Sequence, residues 1–327
     1  MPLRFRYTLH QLRILDAVVE HGGITRAAQA LHLTQPTVSL QVKQLADGLG
    51  VPLFEPQGRS LRLTAAGAEV VAFSRAILRS AESLAERLAA LEGLTRGRLR
   101  LAAASTAEYF IPRLIGRFQG AHPGIAVELR VVNRAEVVAR LAADEDDLYV
   151  MAQPPSELPV AASPFLANPL VVIAAASHPL ATRRSVALAD LAPCEFVLRE
   201  PGSGTRLIAD AFFAARGIAL RTRLELGSNE AVKQAVIGGL GLAVISLHAL
   251  SDEITHHARL RVLRVAGLPI PSRWHWVGHA GRPLSRVAHA FVDFLGVESG
   301  RLTRELARLQ RRSAPARAPG RTPARPA

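Results

Sequence analysis

The chain has 327 residues, 49% hydrophobic and 20% charged, a balance that excludes wholesale disorder and allows two to three domains. Forty basic against 27 acidic side chains leave a net charge of +13, an excess that suits a polyanionic partner. Cys194 is the only cysteine, so neither an internal disulfide nor a Cys-based zinc site is available.

In chain order, residues 8–50 predict three short packed helices. Leu12, Leu15, Val18 and Val19 recur at helical spacing behind Thr8, a suitable N-cap, and Gly22-Gly23 ends that helix. Thr25 is expected to cap a second helix carrying Ala27, Ala28, Ala30 and Leu31. Thr34 should cap a third, with Pro36 in its first turn, Val38, Val42 and Leu45 on one face, and Gly48 and Gly50 at its end. A tight turn between the second and third helices is a helix-turn-helix plan. Residues 51–63 read as a hairpin turning at Gln57-Gly58, a wing. Thr64 then starts a long helix to about Leu94, some 30 residues or ~45 Å. Val70, Ile77, Leu84 and Leu91 lie seven apart, with Ser74, Ala81 and Leu88 between them, a heptad seam that suits dimerisation.

From Gly97 the period changes. Strands are predicted at 98–103, 125–132, 147–152, 169–175, 195–199, 220–226, 241–246, 260–265 and 273–279, with helices among them through Phe110, Leu114, Ile115 and Phe118 and at 134–143, 205–216, 229–239 and 284–296. This alternation predicts a parallel α/β sheet in two lobes, the plan of periplasmic binding proteins with a cleft between lobes. The uncharged run from Leu158 to Thr182 holds four prolines, so it is no spanning helix, and with no apolar leader the chain is expected to be cytoplasmic. Residues 311–327 hold five arginines and no acid, the composition of a disordered tail. The expected boundaries are therefore 1–64 for an all-α winged helix-turn-helix, 65–95 for a linker and dimerisation helix, 96–305 for a two-lobed effector domain, and 306–327 for the tail. Lobe I takes about 96–165 and 269–305, and lobe II about 166–268.

The third helix would present its first side chains to base edges in a major groove. There Gln35 can bond adenine bidentately, Thr37 and Ser39 are short donors and acceptors, and Pro36 offers an apolar face to a thymine methyl. Thr25, Arg26, Thr34 and Lys43 are better placed for phosphates. In the second half, Ser105-Thr106, Ser203-Gly204-Thr205 and Ser228-Asn229 each stand where a strand passes into a helix. Such junctions offer hydroxyls, amides and free N–H groups to an anion, with Arg199 and Arg206 nearby. Other candidates fail. Residues 202–204 lack the third glycine of a dinucleotide fingerprint and the Lys-Ser/Thr of a P-loop. The acidic run 144–147 reads as a solvated loop, His256-His257 as surface, and one indole of Trp274-His275-Trp276 as packed between lobes.

The order of LTQPTVS at 33–39, QVKQL at 41–45, LG at 49–50, LF at 53–54 and LTAAG at 63–67 resembles the DNA-binding half of LysR-type transcriptional regulators. LREPGSGTR at 198–206, LGSNE at 226–230, KQAV at 233–236, ISLH at 245–248 and MAQPP at 151–155 resemble the subgroup that regulates RuBisCO and Calvin-cycle operons. The resemblance implies base reading by Gln35, Pro36 and Ser39, and entry of Arg59 at the wing tip into the minor groove. It implies no catalysis, metal or cofactor. Its partners would be operator DNA, further copies of the chain, RNA polymerase, and a small anionic effector: a phosphorylated metabolite or reduced dinucleotide. Pro56 and Ser60 stand where this subgroup usually has arginines, Ala46 follows Leu45 in place of the usual Glu, and residues 151–153 replace the usual Met-Gly-Arg. The alternatives are a LysR-type regulator of another pathway, or a solute-binding α/β protein with an accessory helical domain.

Overall fold

The computed structural model describes residues 7–57, 60–89, 97–250 and 259–313. The chain divides into two compact units. One holds the chain up to residue 95 with residues 142–145, and the other holds the rest.

In the first unit, α1 (Leu9–Glu20) begins with a capping box in which Thr8 and Gln11 bond each other's backbone N–H. The next helix, α2 (Ile24–Ala30), is capped by Gly23, so Thr25 lies inside the helix and not at its cap. Gly23 adopts φ +148°, a conformation that a threonine would resist. Thr34 does cap α3 (Gln35–Leu49), and Gly50 closes it in the left-handed conformation. Ile14, Val18, Ala27, Ala28, Val38 and Val42 pack into one core between these helices. A wing of β1 (Phe54–Gln57) and β2 (Ser60–Leu63) follows, pairing Phe54 with Leu63. Thr64 bonds the Gly67 N–H and opens α4 (Ala65–Ala89). A Cβ on Gly67 would stand 2.1 Å from the Leu53 carbonyl, so only glycine lets this helix start against the wing.

The first half of the heptad seam is occupied within its own unit. Val70, Val71 and Ile77 pack on Leu12, Leu15 and Val19 of α1, and Ser74 is fully buried. The seam emerges at Ala81 and at Leu84, which is 51% exposed. Leu91, like Arg59, His256, His257 and the tail beyond Ser313, lies outside the described residues.

The second unit is a mixed α/β fold and not a parallel one. One sheet has the order β4-β3-β5-β12-β6, where β3 is Gly97–Ala104, β4 Ile125–Val132, β5 Leu148–Met151, β6 Val160–Ala167 and β12 Arg273–His279. Its β3, β4 and β5 run parallel, whereas β12 runs antiparallel to both β5 and β6. The strand β6 was not expected from the sequence. Pro164 lies in it, tolerated because β6 is the sheet edge.

The other lobe has β10-β7-β11 (Ala243–Ser246, Leu170–Ala175, Leu260–Val262), all antiparallel. Parallel β8 (Glu195–Arg199) and β9 (Arg221–Leu226) join β10 through a bridge from Phe196 to Leu242. The chain crosses between lobes at residues 168–169 and again just before β12.

Helices α5 (Ile111–Ala121) and α6 (Arg134–Ala142) flank the first sheet, and α7 (Gly204–Ala214) and α8 (Asn229–Ile237) the second. The final helix, α9 (Arg286–Ser313), runs past the boundary expected at residue 305. It continues because Leu306 is buried in the core of the second lobe, with Leu309 packed alongside. No helix among the described residues is long and apolar enough to cross a membrane.

Candidate functional site

On α3, the Thr34 hydroxyl accepts the Thr37 N–H and also lies 2.8 Å from the Thr37 hydroxyl. Thr37 is thus committed to the helix start. Gln35, Pro36, Ser39 and Lys43 are exposed. Arg26 is exposed too, but its guanidinium donates to the Gly22 carbonyl at 2.6 Å, which holds the stem along the end of α1. The surface expected to read bases is therefore solvent-facing at Gln35, Pro36 and Ser39. Lys43 stands one helical turn beyond Ser39.

In the second unit, four residues expected at a ligand site meet across the two lobes. Arg199, at the end of β8 and only 2% exposed, donates from Nη1 to Asn229 Oδ1 at 2.6 Å and from Nη2 to Ser105 Oγ at 3.1 Å. Asn229 Nδ2 donates to Thr106 Oγ1 at 3.2 Å. Ser105 and Thr106 lie in a short 3-10 turn after β3, so these bonds clasp one lobe to the other. Glu200 offsets the Arg199 charge through contacts of 2.8 and 3.0 Å. Ser228 is spent as the cap of α8, accepting the Ala231 N–H at 3.1 Å. Arg206 is held by Asp210 and Glu225.

A second contact across the lobes was not anticipated. Tyr109 donates its hydroxyl to Glu230 at 2.7 Å, and Lys233 pairs with the same carboxylate at 2.6 Å. Burial alone would raise the Glu230 carboxyl, but the hydrogen bonds of Lys233 and Tyr109 outweigh it and hold the group below its ordinary range.

The start of α7 is different in kind. Ser203 and Thr205 are 3% and 7% exposed, yet neither hydroxyl has a hydrogen-bond partner among the described residues. The Ser203 N–H is taken by the Glu200 carbonyl, while those of Gly204, Thr205 and Arg206 have no backbone acceptor. Facing this helix start is the start of α6. Asn133 caps α6 by accepting the Glu136 N–H at 2.9 Å, and the Ala135 N–H donates to the Gly202 carbonyl at 3.1 Å. Gly202 has φ +90°, and a Cβ on it would stand 2.9 Å from that of Ala135, so glycine permits both the turn and the approach. Asn133-Arg134 is a fourth strand-to-helix junction. The signal that marked the other three, a polar pair directly after a strand, was present in the sequence here as well.

Residues 9–68 match the family model for the bacterial regulatory helix-turn-helix protein of the lysR family, and residues 92–298 match the LysR substrate binding domain. The chain belongs to the LysR family. This LysR-type protein is 46% identical over 288 residues to the RuBisCO operon transcriptional regulator of Acidithiobacillus ferrooxidans, an alignment covering 88% of this chain and 93% of the relative. It is 47% identical over 295 residues to the regulator of the same name from Allochromatium vinosum, covering 90% and 97%. Its second unit is similar to the regulatory domain of Synechocystis CcmR solved in complex with 2-PG, at 45% identity and a TM-score of 0.60. That match covers 62% of this chain and 98% of the solved one.

Proposed function

We propose that this LysR-type regulator acts in the cytoplasm as a DNA-bound homo-oligomer. It activates a RuBisCO (Calvin-cycle) operon through RNA polymerase when an anionic, phosphorylated metabolite lies between its lobes. The operon follows from the two relatives aligned over nearly their whole length. The anion is supported by one observation: the hydroxyls of Ser203 and Thr205, residues that are largely buried, have no partner among the described residues and stand beside the open N–H groups of α7. Hydroxyls and helix N–H groups left without protein partners are available to donate to a bound anion.

In this reading Ser203, Gly204 and Thr205 hold the negative end, and Ser105, Thr106, Arg199 and Asn229 close over the remainder. Ser228 contributes only by capping the helix that carries Asn229. Ligand binding favours the closed lobes, and closure changes how paired reading heads hold and bend the operator. Gln35, Pro36 and Ser39 read bases, and Thr25, Arg26, Thr34, Lys43 and Arg59 contact the backbone and minor groove.

The test is titration of 2-phosphoglycolate, the ligand of the Synechocystis relative, against the operator complex of wild type and Thr205→Val. Valine keeps the volume and removes the hydroxyl. The variant is expected to need at least about tenfold more ligand to shift the footprint, with basal operator affinity unchanged. An equal response in both proteins would place the ligand elsewhere.

A further inference from the structure

Among the basic side chains near the cleft, Arg199 is offset by Glu200, Lys233 by Glu230, and Arg206 by Asp210 and Glu225. Arg134 is not. It forms no ion pair among the described residues, and its one hydrogen bond there runs from Nε to the Gln153 carbonyl at 2.7 Å. It is the first residue of α6, from the other lobe than α7. Its Cβ and Cδ would lie 3.7 and 3.6 Å from a Cβ on Gly204, so the arginine stem runs along the start of α7. The bond from Ala135 to the Gly202 carbonyl fixes this approach through the backbone.

Two helix starts and a guanidinium that forms no ion pair among the described residues therefore gather at one place, beside two hydroxyls with no partner among those residues. Positive helix ends and a cation repel one another, and the arrangement is stable when an anion stands among them. The donors available are the N–H groups of Gly204, Thr205 and Arg206, the two hydroxyls, and the Nη groups of Arg134. A carboxylate offers about four lone-pair sites, fewer than this set can fill. A phosphoryl group offers three strongly accepting oxygens and close to two charges.

Resting on the proposed effector cleft, we infer that Arg134 is the residue that selects a phosphoryl group over a carboxylate at the start of α7. The guanidinium matches phosphoryl oxygens in a planar fork. Its Nε bond to a main-chain carbonyl aims that fork without using another side chain.

Calorimetric titration of the full chain tests this with 2-phosphoglycolate and with succinate, in which a methylene and a carboxylate replace the ester oxygen and the phosphoryl group. Wild type, Arg134→Gln and Arg134→Lys are compared. Wild type is expected to favour 2-phosphoglycolate by at least about tenfold. Arg134→Gln should lose about tenfold or more for it, with succinate changed less than about threefold, and lysine should restore part of the difference. Thermal midpoints of the free proteins should agree, because the side chain makes one internal bond. Unchanged 2-phosphoglycolate binding in Arg134→Gln overturns the assignment and leaves the cleft standing. Equal losses for both ligands make Arg134 a general anion attractor and overturn its selective role. Failure of wild type to bind either ligand overturns the cleft itself, and this inference with it.

Discussion

Gln35 and Thr37 are two residues apart on α3, yet only Gln35 keeps its hydrogen-bonding groups for a partner. The Thr37 hydroxyl is paired with that of Thr34, whereas Gln35 and Ser39 are exposed. Alanine at Gln35 or Ser39 should weaken operator binding by about 1–3 kcal/mol for each good base contact while leaving binding to random DNA nearly unchanged. Competition titrations on operator and scrambled DNA at fixed salt measure this, and equal losses on both would reassign the residues to phosphates. Caps at Thr8, Thr34, Thr64 and Ser228 were legible in the sequence because a cap depends on residues within one turn. Thr25 was misread because the competing cap is a glycine with no side chain to announce it. The partnerships of Arg199 were illegible. Ser105 is 94 positions from it and Asn229 is 30, and no local spacing encodes such a bond.

Among elements, α4 shows how a sequence period can serve two partners in turn. Its first turns face α1 in the same unit, and among the described side chains its seam is exposed at Ala81 and Leu84. Leu84→Glu should therefore leave the fold of a single chain intact while weakening assembly. Sedimentation at micromolar concentration should show a smaller species with an unchanged far-ultraviolet spectrum, and an unchanged oligomer would exclude Leu84 from the interface. Most strands and helices of the second unit lie within a few residues of their expected places, since a buried strand such as β7 is apolar throughout. Two elements depart for tertiary reasons. An edge position makes β6 possible despite Pro164, and the second lobe's core extends α9 beyond residue 305.

For the whole effector unit, a buried histidine beside the first crossing between lobes contributes to the response to pH. His248 is buried 5.3 Å from the Phe110 ring, which lies equally close to Trp274, and its Nε2 is 2.8 Å from the Ala167 carbonyl just before the first crossing. Burial lowers its pKa below the ordinary 6.5. The bond to Ala167 opposes this, and the nearby charge of Arg113 adds to it. A group with a depressed folded value takes up its proton first in the unfolded chain. Its contribution is thus present above pH 6.5 and is lost as pH falls toward the folded value. The thermal midpoint of wild type should fall more steeply from pH 7 to pH 5 than that of His248→Gln. Parallel slopes would show that His248 does not couple folding to protonation.

The clasp of Arg199 and Asn229 on Ser105 and Thr106 forms with protein groups alone. A domain that can shut by itself has an equilibrium between shut and open forms before any ligand arrives. The ligand then adds only its preference for one form over the other. The strength of the clasp is accordingly a set point. In the proposed reading, a tighter clasp is expected to raise output at zero ligand and narrow the remaining range, whereas a looser one would demand more ligand for the same output. Substitutions at Thr106 and Asn229 are therefore expected, in the same reading, to shift the ligand concentration at which the regulator responds.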